Sequence, residues 1–352
     1  MTDVVRHSRK GLFAPFIIVG LALAAWTGWW FYLASQVEQR LDAQMQVLRA
    51  QGWTITDGGR GLTGWPFRVS LNYAHPSIVA PSGHGLAGPA LKAEANAWDP
   101  VKWVVVAPEG VVLTRPDKGK VAVRGDAIRM SVHGLTQRWP NVALELVNPV
   151  FQPHPGAEPF PIARAGRIEF YMRPNIRPPV SGAAATAPGD DVDVLFRLID
   201  AEGRSQGPVE GLTQDGKLTV QAEAVIEHAS ALSGMDAAGI FSHWTAAGGR
   251  FSRVRGEAKA GESRATLSSD LLVAGRDGRL TGEVSLKAEK PLPAITGLAR
   301  SGSGSVNRVG AAGAAAATAV TGGQGDVDLV LQFRSGRTYM GPFALAPAPK
   351  LF

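Results

Sequence analysis

Along most of this chain apolar and polar residues alternate one by one. Trp65, Phe67, Val69, Leu71 and Tyr73 are interleaved with Arg68, Ser70 and Asn72. Ile168, Phe170 and Met172 alternate with Arg167, Glu169 and Arg173, and Leu218, Val220, Ala222, Ala224 and Ile226 with Thr219, Gln221 and Glu223. Leu280, Val284, Leu286 and Ala288 are spaced by Thr281, Glu283, Ser285 and Lys287; Val327, Leu329, Leu331 and Phe333 by Asp328 and Gln332. A strand points successive side chains to opposite faces, so this pattern predicts strands with one apolar and one wet face. Antiparallel sheets accept a wet face, whereas strands buried on both sides read as unbroken Val/Ile runs. Asp57-Gly58, Asp215-Gly216 and Asp277-Gly278 supply hairpin turns. The fold class expected is mainly β: a large, curved, antiparallel sheet body of about eight to ten amphipathic strands.

Five stretches depart from period two. Leu12 to Ala34 has no charged residue in 23 positions, enough to cross a hydrocarbon core of about 30 Å as a helix. Arg6, Arg9 and Lys10 precede it, so the positive-inside rule keeps the N-terminus in the cytoplasm and exports the rest. Trp26, Trp29, Trp30 and Tyr32 crowd its far end, where amphipathic rings favour the headgroup level. The run ends in Trp29-Trp30-Phe31-Tyr32 rather than in small residues, which reads as a retained signal anchor, not a cleaved signal peptide. Gly20, Ala24 and Gly28 form a small-residue ridge suited to homodimer packing or to an envelope partner. Ser35 to Gln51 reads as an amphipathic stalk helix, capped by Ser35 and stopped by Gly52. Two short helical segments are expected in the body, near 229–247 and 293–320. The order is then a tail (1–11), membrane helix (12–34), stalk (35–52), first β lobe (53–177), Pro/Ala/Gly-rich linker (178–190) and second β lobe (191–352).

Composition narrows the chemistry. With no cysteine, disulfides, thiolate metal sites and cysteine nucleophiles are excluded. The net charge of +6 is spread thinly, without the clustered Lys/Arg and interleaved aromatics of a nucleic-acid surface. The seven histidines show no metal-ligand spacing. Gly83-His-Gly-Leu-Ala-Gly88 matches a dinucleotide fingerprint in letters only, since Pro89 follows at once where a helix should begin. Asp190, Asp191 and Asp193 lack calcium-loop spacing. No catalytic residue, metal site or cofactor is assigned, and the chain reads as non-enzymatic.

Taken together, the basic tail, one apolar helix, Gly61-Leu-Thr-Gly-Trp-Pro-Phe-Arg68, Ala165-Gly-Arg-Ile-Glu-Phe170 and Phe333-Arg-Ser-Gly-Arg-Thr-Tyr-Met-Gly-Pro-Phe343 resemble a bacterial envelope family known as domain of unknown function 2125. The resemblance implies a bacterial inner-membrane protein with a periplasmic body, and it transfers no residue roles. The layout is also similar, more remotely, to AsmA-like envelope proteins, which implies lipid shielded in a β-sheet groove. On that reading membrane lipid is the partner, and the candidate lipid-facing residues are Trp65, Phe67, Val69, Leu71, Val327, Leu329, Leu331 and Phe333. Two alternatives stay open: an envelope scaffold or assembly factor whose β core is closed, and an enzyme whose site is invisible in sequence.

Overall fold

The computed structural model describes residues 10–176, 189–214, 216–232, 240–302, 305–320 and 325–351; the basic tail before Lys10 and nearly all of the 178–190 linker lie outside them. The chain opens with α1 (Lys10–Ala50), 41 residues without interruption and about 62 Å long. It is long and apolar enough to cross a membrane. The stalk is not a separate helix. Nothing near Ser35 breaks the backbone ladder, and its hydroxyl accepts a bond from Gln39 Nε2 at 3.2 Å instead of capping. Gly52 does end the helix: its φ of +86° turns the Gly52 and Trp53 amides back onto the carbonyls of Arg49 and Leu48 at 3.0 and 3.1 Å.

The described residues contain 22 strands in one sheet, about double the number expected from alternation. Fifteen form a main layer: β2 (Arg60–Thr63), β3 (Arg68–Ala74), β6 (Ala90–Asn96), β7 (Asp99–Val106), β10 (Ala127–His133), β11 (Asn141–Val147), β14 (Arg167–Pro174), β15 (Val192–Gly203), β16 (Leu218–Glu227), β17 (Arg250–Ala260), β18 (Ser263–Ala274), β19 (Leu280–Glu289), β20 (Asp326–Arg334), β21 (Arg337–Met340) and β22 (Phe343–Pro347). They lie side by side in chain order, every pair antiparallel. Seven short strands fold over the first part of this layer as a flap: β1 (Thr54–Thr56), β4 (Ser77–Val79), β5 (Gly85–Ala87), β8 (Val111–Arg115), β9 (Gly119–Arg124), β12 (Val150–Pro153) and β13 (Ile162–Arg164).

Layer and flap are joined by sharp corners. The chain passes between them at His75-Pro76, Gly88-Pro89, Ala107-Pro108, Gly125-Asp126, Asn148-Pro149 and Ala165-Gly166, where proline removes a ladder donor or glycine relaxes the backbone. His75 and Asn148 take φ of +48° and +47°. Hydrogen bonding runs through the bends, for example from Asn148 N to Gly166 O at 2.8 Å. β15 bends at Asp200 (φ +52°) and so pairs with β14 and β16 by its start and with β13 by its end. The sheet therefore runs from the stretch read as a first lobe into the second through eight paired residues of β14 and β15.

Helices complete the cover. α2 (Pro208–Thr213), α4 (Pro291–Arg300) and α5 (Arg308–Val320) pack together over the far end. There Ala311 and Ala314 lie with Leu329, Leu331, Met340 and Leu345. The segment expected to be helical near 293–320 forms two helices, the second mostly alanine, and α2 had no signal. The expected 229–247 helix appears as a 3-10 turn (Ala229–Ala231) and α3 (Ile240–Ala246), with 233–239 outside the described residues.

Candidate functional site

Strand register links residues that no local pattern can connect. Leu71 in β3 stands opposite Ala93, Ala93 opposite Val105, and the pairing continues through Met130, Leu144, Phe170, Phe196, Ala222, Gly256, Leu267 and Leu286 to Leu329 in β20. This is one row across the apolar face, one residue per strand, and every member is apolar or glycine. Adjacent strands are about 4.8 Å apart, so the row measures about 53 Å along the sheet.

The row is the part of the face that neither margin buries. On one side, Ile128, Leu146, Ile168 and Leu198 continue as a parallel row that packs under the flap against Val121, Val123 and Phe151 or beside Ala165 and Ala201. On the other side, Val192, Ile226 and Phe251 are sealed by Trp244 of α3, which is fully buried. Between them, from Ala93 to Leu329, no member of the middle row is buried. Phe196 is 40 % exposed, although Leu198, two residues on and on the same face, is 8 % exposed. Beside Phe196 the floor is made of Ala222 and Gly256, which leave a shallow place in it.

The eight sequence candidates fall into three environments. Val69 and Leu71 are buried at 1 % and 2 % exposure, Val69 against Trp30, Leu33 and Ala34 of α1. Val327, Leu329, Leu331 and Phe333 are half-buried, and Leu329 and Leu331 pack on the α4–α5 cluster. Ten strands separate the two groups, at opposite ends of the same face. Trp65 and Phe67 do not continue the β3 alternation. The strand begins at Arg68, because the preceding turn, closed by Arg68 N to Gly64 O at 2.8 Å, contains them. They are 50 % and 63 % exposed.

That turn is fixed to α1 by indole groups. Trp26 Nε1 donates to Pro66 O at 2.8 Å, Trp30 Nε1 to Arg68 O at 2.7 Å, and Trp29 Nε1 to Ala97 O at 3.3 Å in the β6–β7 turn. Further along the helix Asp42 pairs with Arg60 at 2.8 Å. The guanidinium holds the Asp42 carboxyl below the usual carboxylate range. A Cβ added at Gly20 or Gly28 meets nothing within 4 Å, so that helix face carries no contact from the body.

Over residues 30–349 the sequence matches the family described as an uncharacterized protein conserved in bacteria (DUF2125). The chain belongs to that family. No curated protein and no solved structure matches it.

The match begins at Trp30, so the DUF2125 portion takes in the second half of α1 together with the whole sheet. The other face of that sheet is charged. Three clefts of about 730, 680 and 650 Å³ adjoin there, each meeting the next at Gln221, Glu257 and Lys287 or at Glu223 and Arg255, and together they form one trough across β10 to β20. On β10 to β15 the same face carries an ion ladder. Arg129 Nε meets Glu145 at 2.6 Å, Arg167 lies 3.6 Å from both Glu145 and Glu169, and Arg197 reaches Glu169 at 3.0 Å. Burial, helped by the charges of Glu169 and Glu145, raises the Tyr171 hydroxyl above its ordinary range. Among the described residues no three His, Asp or Glu side chains gather to hold a metal ion.

Proposed function

We propose that this DUF2125 protein is a non-enzymatic envelope protein, anchored in the bacterial inner membrane with its N-terminus in the cytoplasm and its body in the periplasm, and that it handles membrane lipid. Acyl chains lie along the middle row of the apolar face, between the flap on one side and α3 on the other. The observation that carries this reading is the row itself: an unbroken apolar register from Leu71 to Leu329 with no buried member from Ala93 onward. Leaving such a stripe in water is unfavourable, and each acyl CH₂ laid on it recovers about 0.8 kcal/mol. The row starts on the strand that packs against α1, so its near end adjoins the source of lipid. Arg6, Arg9 and Lys10 support the orientation.

The test is lipid retained by the full-length protein after extraction and washing, measured by mass spectrometry, for the wild type and Phe196→Asp. Wild-type protein is expected to hold phospholipid. The variant should hold several-fold less while its circular dichroism stays the same. A wild type that carries no lipid overturns the reading. A variant that unfolds favours the closed-core scaffold, because only a covered Phe196 makes that carboxylate a buried, unpaired charge.

A further inference from the structure

The main layer's hairpins that turn on the edge away from the flap have bare hydrophobic tips. The β2–β3 turn exposes Trp65 and Phe67, the β6–β7 turn Trp98 (62 %), the β10–β11 loop Leu135 (50 %), and the chain leaving β14 Ile176 (78 %). β3 to β14 alternate in direction in one antiparallel register, so these tips lie along a single edge of the sheet. Two of them are tied to each other: Ala97 N donates to Phe67 O at 2.9 Å, and the Phe67 and Trp98 rings meet edge to face at 6.5 Å. A large ring exposed singly is ordinary, but four successive tips on one edge form a patch of the kind that marks a membrane or partner surface.

The level of this edge on α1 decides between the two. Counted from Lys10, about 20 helical residues cross a hydrocarbon core of about 30 Å, which places its outer boundary near Trp30. Pro66 is hydrogen-bonded to Trp26, four residues, or about 6 Å, inside that boundary. The turn that carries Trp65 and Phe67 is therefore held below the headgroup level of the leaflet in which α1 ends. Trp and Phe are the side chains that favour this zone, and Trp29 and Tyr32 project beside them on the helix itself, 44 % and 58 % exposed. Backbone carbonyls cannot be left bare at such depth; those of Pro66, Arg68 and Ala97 are the ones the three indoles cover.

We infer that this hairpin edge is a membrane-docking rim: its tips, led by Trp65, Phe67 and Trp98, sit in the outer part of the leaflet, so that the sheet stands on the bilayer instead of hanging from a tether. The inference rests on the membrane-anchored reading above and goes beyond it by assigning the rim's partner, the bilayer interface.

The chain has no cysteine, so single labels report unambiguously. Full-length Phe67→Cys and Trp98→Cys carry a nitroxide in phosphatidylethanolamine–phosphatidylglycerol vesicles, with Phe16→Cys as the span control and Lys287→Cys as the water control. Both rim labels should collide with oxygen in preference to a water-soluble nickel chelate, as at Phe16. Nickel access as at Lys287 in either folded variant overturns the rim. Each variant's folding is checked by circular dichroism, and because the two positions sit on different turns, either folded one alone decides. The outcome is independent of lipid retention. Immersed labels on a protein that captures no lipid overturn only the groove, and water-exposed labels on a lipid-loaded protein overturn only the rim.

Discussion

The near and far parts of the sheet use the same alternation but are covered by different means. From β3 to β15 the cover is the flap, made by bending the strands themselves at Pro and Gly corners, and large side chains such as Phe151, Ile128 and Ile168 fill the space beneath. From β16 to β22 no flap remains. The cover is helical, with α3 on one margin and α2, α4 and α5 over the far end, and the face of these strands is stepped down in size to Ala222, Gly256, Ala258, Ala265 and Ala288. α5 answers with alanines and with Gly310, which lets its backbone lie on the Ala344 carbonyl where any Cβ would collide. Two unrelated covers leave the same row half open.

The sharpest way to break the comparison is to put a charge on each side of the line between covered and open. Val69→Asp, under α1, should cost about 4 kcal/mol or more by denaturant unfolding, since the carboxylate has no partner there. Leu198→Asp, under the flap margin, should cost nearly as much. Phe196→Asp, two residues away on the same face of the same strand, should cost no more than about 1 kcal/mol. Equal losses at 196 and 198 would mean that the row is closed in the near part. Trp244→Ala tests the opposite margin. The ring is fully buried, so about 3–5 kcal/mol should be lost, while Phe196 should remain as accessible to aqueous quenching reagents as before.

Adding bulk gives a gentler comparison. Ala222→Leu in the open row should change stability by less than about 0.5 kcal/mol, whereas in a closed core the extra atoms would cost about 1–3 kcal/mol. The smallest effect is in acid. Ser252 Oγ and then the Arg250 guanidinium hold the Glu227 carboxyl below its usual range, against an opposing push from burial. A depressed folded-state value gives stability that is present above the unfolded value and lost as pH falls through the folded one. Wild-type protein should therefore lose more stability than Glu227→Gln on acidification below about pH 4, read as the shift in thermal midpoint.

Alternation was enough to find β14, β16, β19 and β20 and to tell which face of each is apolar. It does not reveal the flap as a layer, because most of its arms, three to six residues long and ended by Pro or Gly, look like the loops they interrupt. Trp65 and Phe67 were read as strand because Trp-Pro-Phe keeps period two across a turn. The row could not be read at all: it is a property of register, and nothing local says that Leu71 and Leu329 belong to one line. The Trp cluster reads in sequence as an interfacial belt; what that reading does not contain is the use the structure gives it, in which three indole N–H groups bind the carbonyls of Pro66, Arg68 and Ala97. Ser35 shows the limit of capping signals, since a good cap residue stops nothing unless the backbone before it leaves the helix.

The unbroken α1 has a mechanical consequence. There is no hinge between the apolar half of the helix and the half that grips the body, and the grip is made at Trp26, Trp29, Trp30 and Asp42, spread over four turns. In the membrane-anchored protein proposed above, helix and sheet therefore move as one lever with its pivot in the bilayer. A span tilts to match the local bilayer thickness, and over the row's length of about 53 Å each ~10° of tilt raises or lowers the far end by up to about 9 Å. A thicker or thinner membrane would thus re-aim the far end, near Leu329, without any change inside the body.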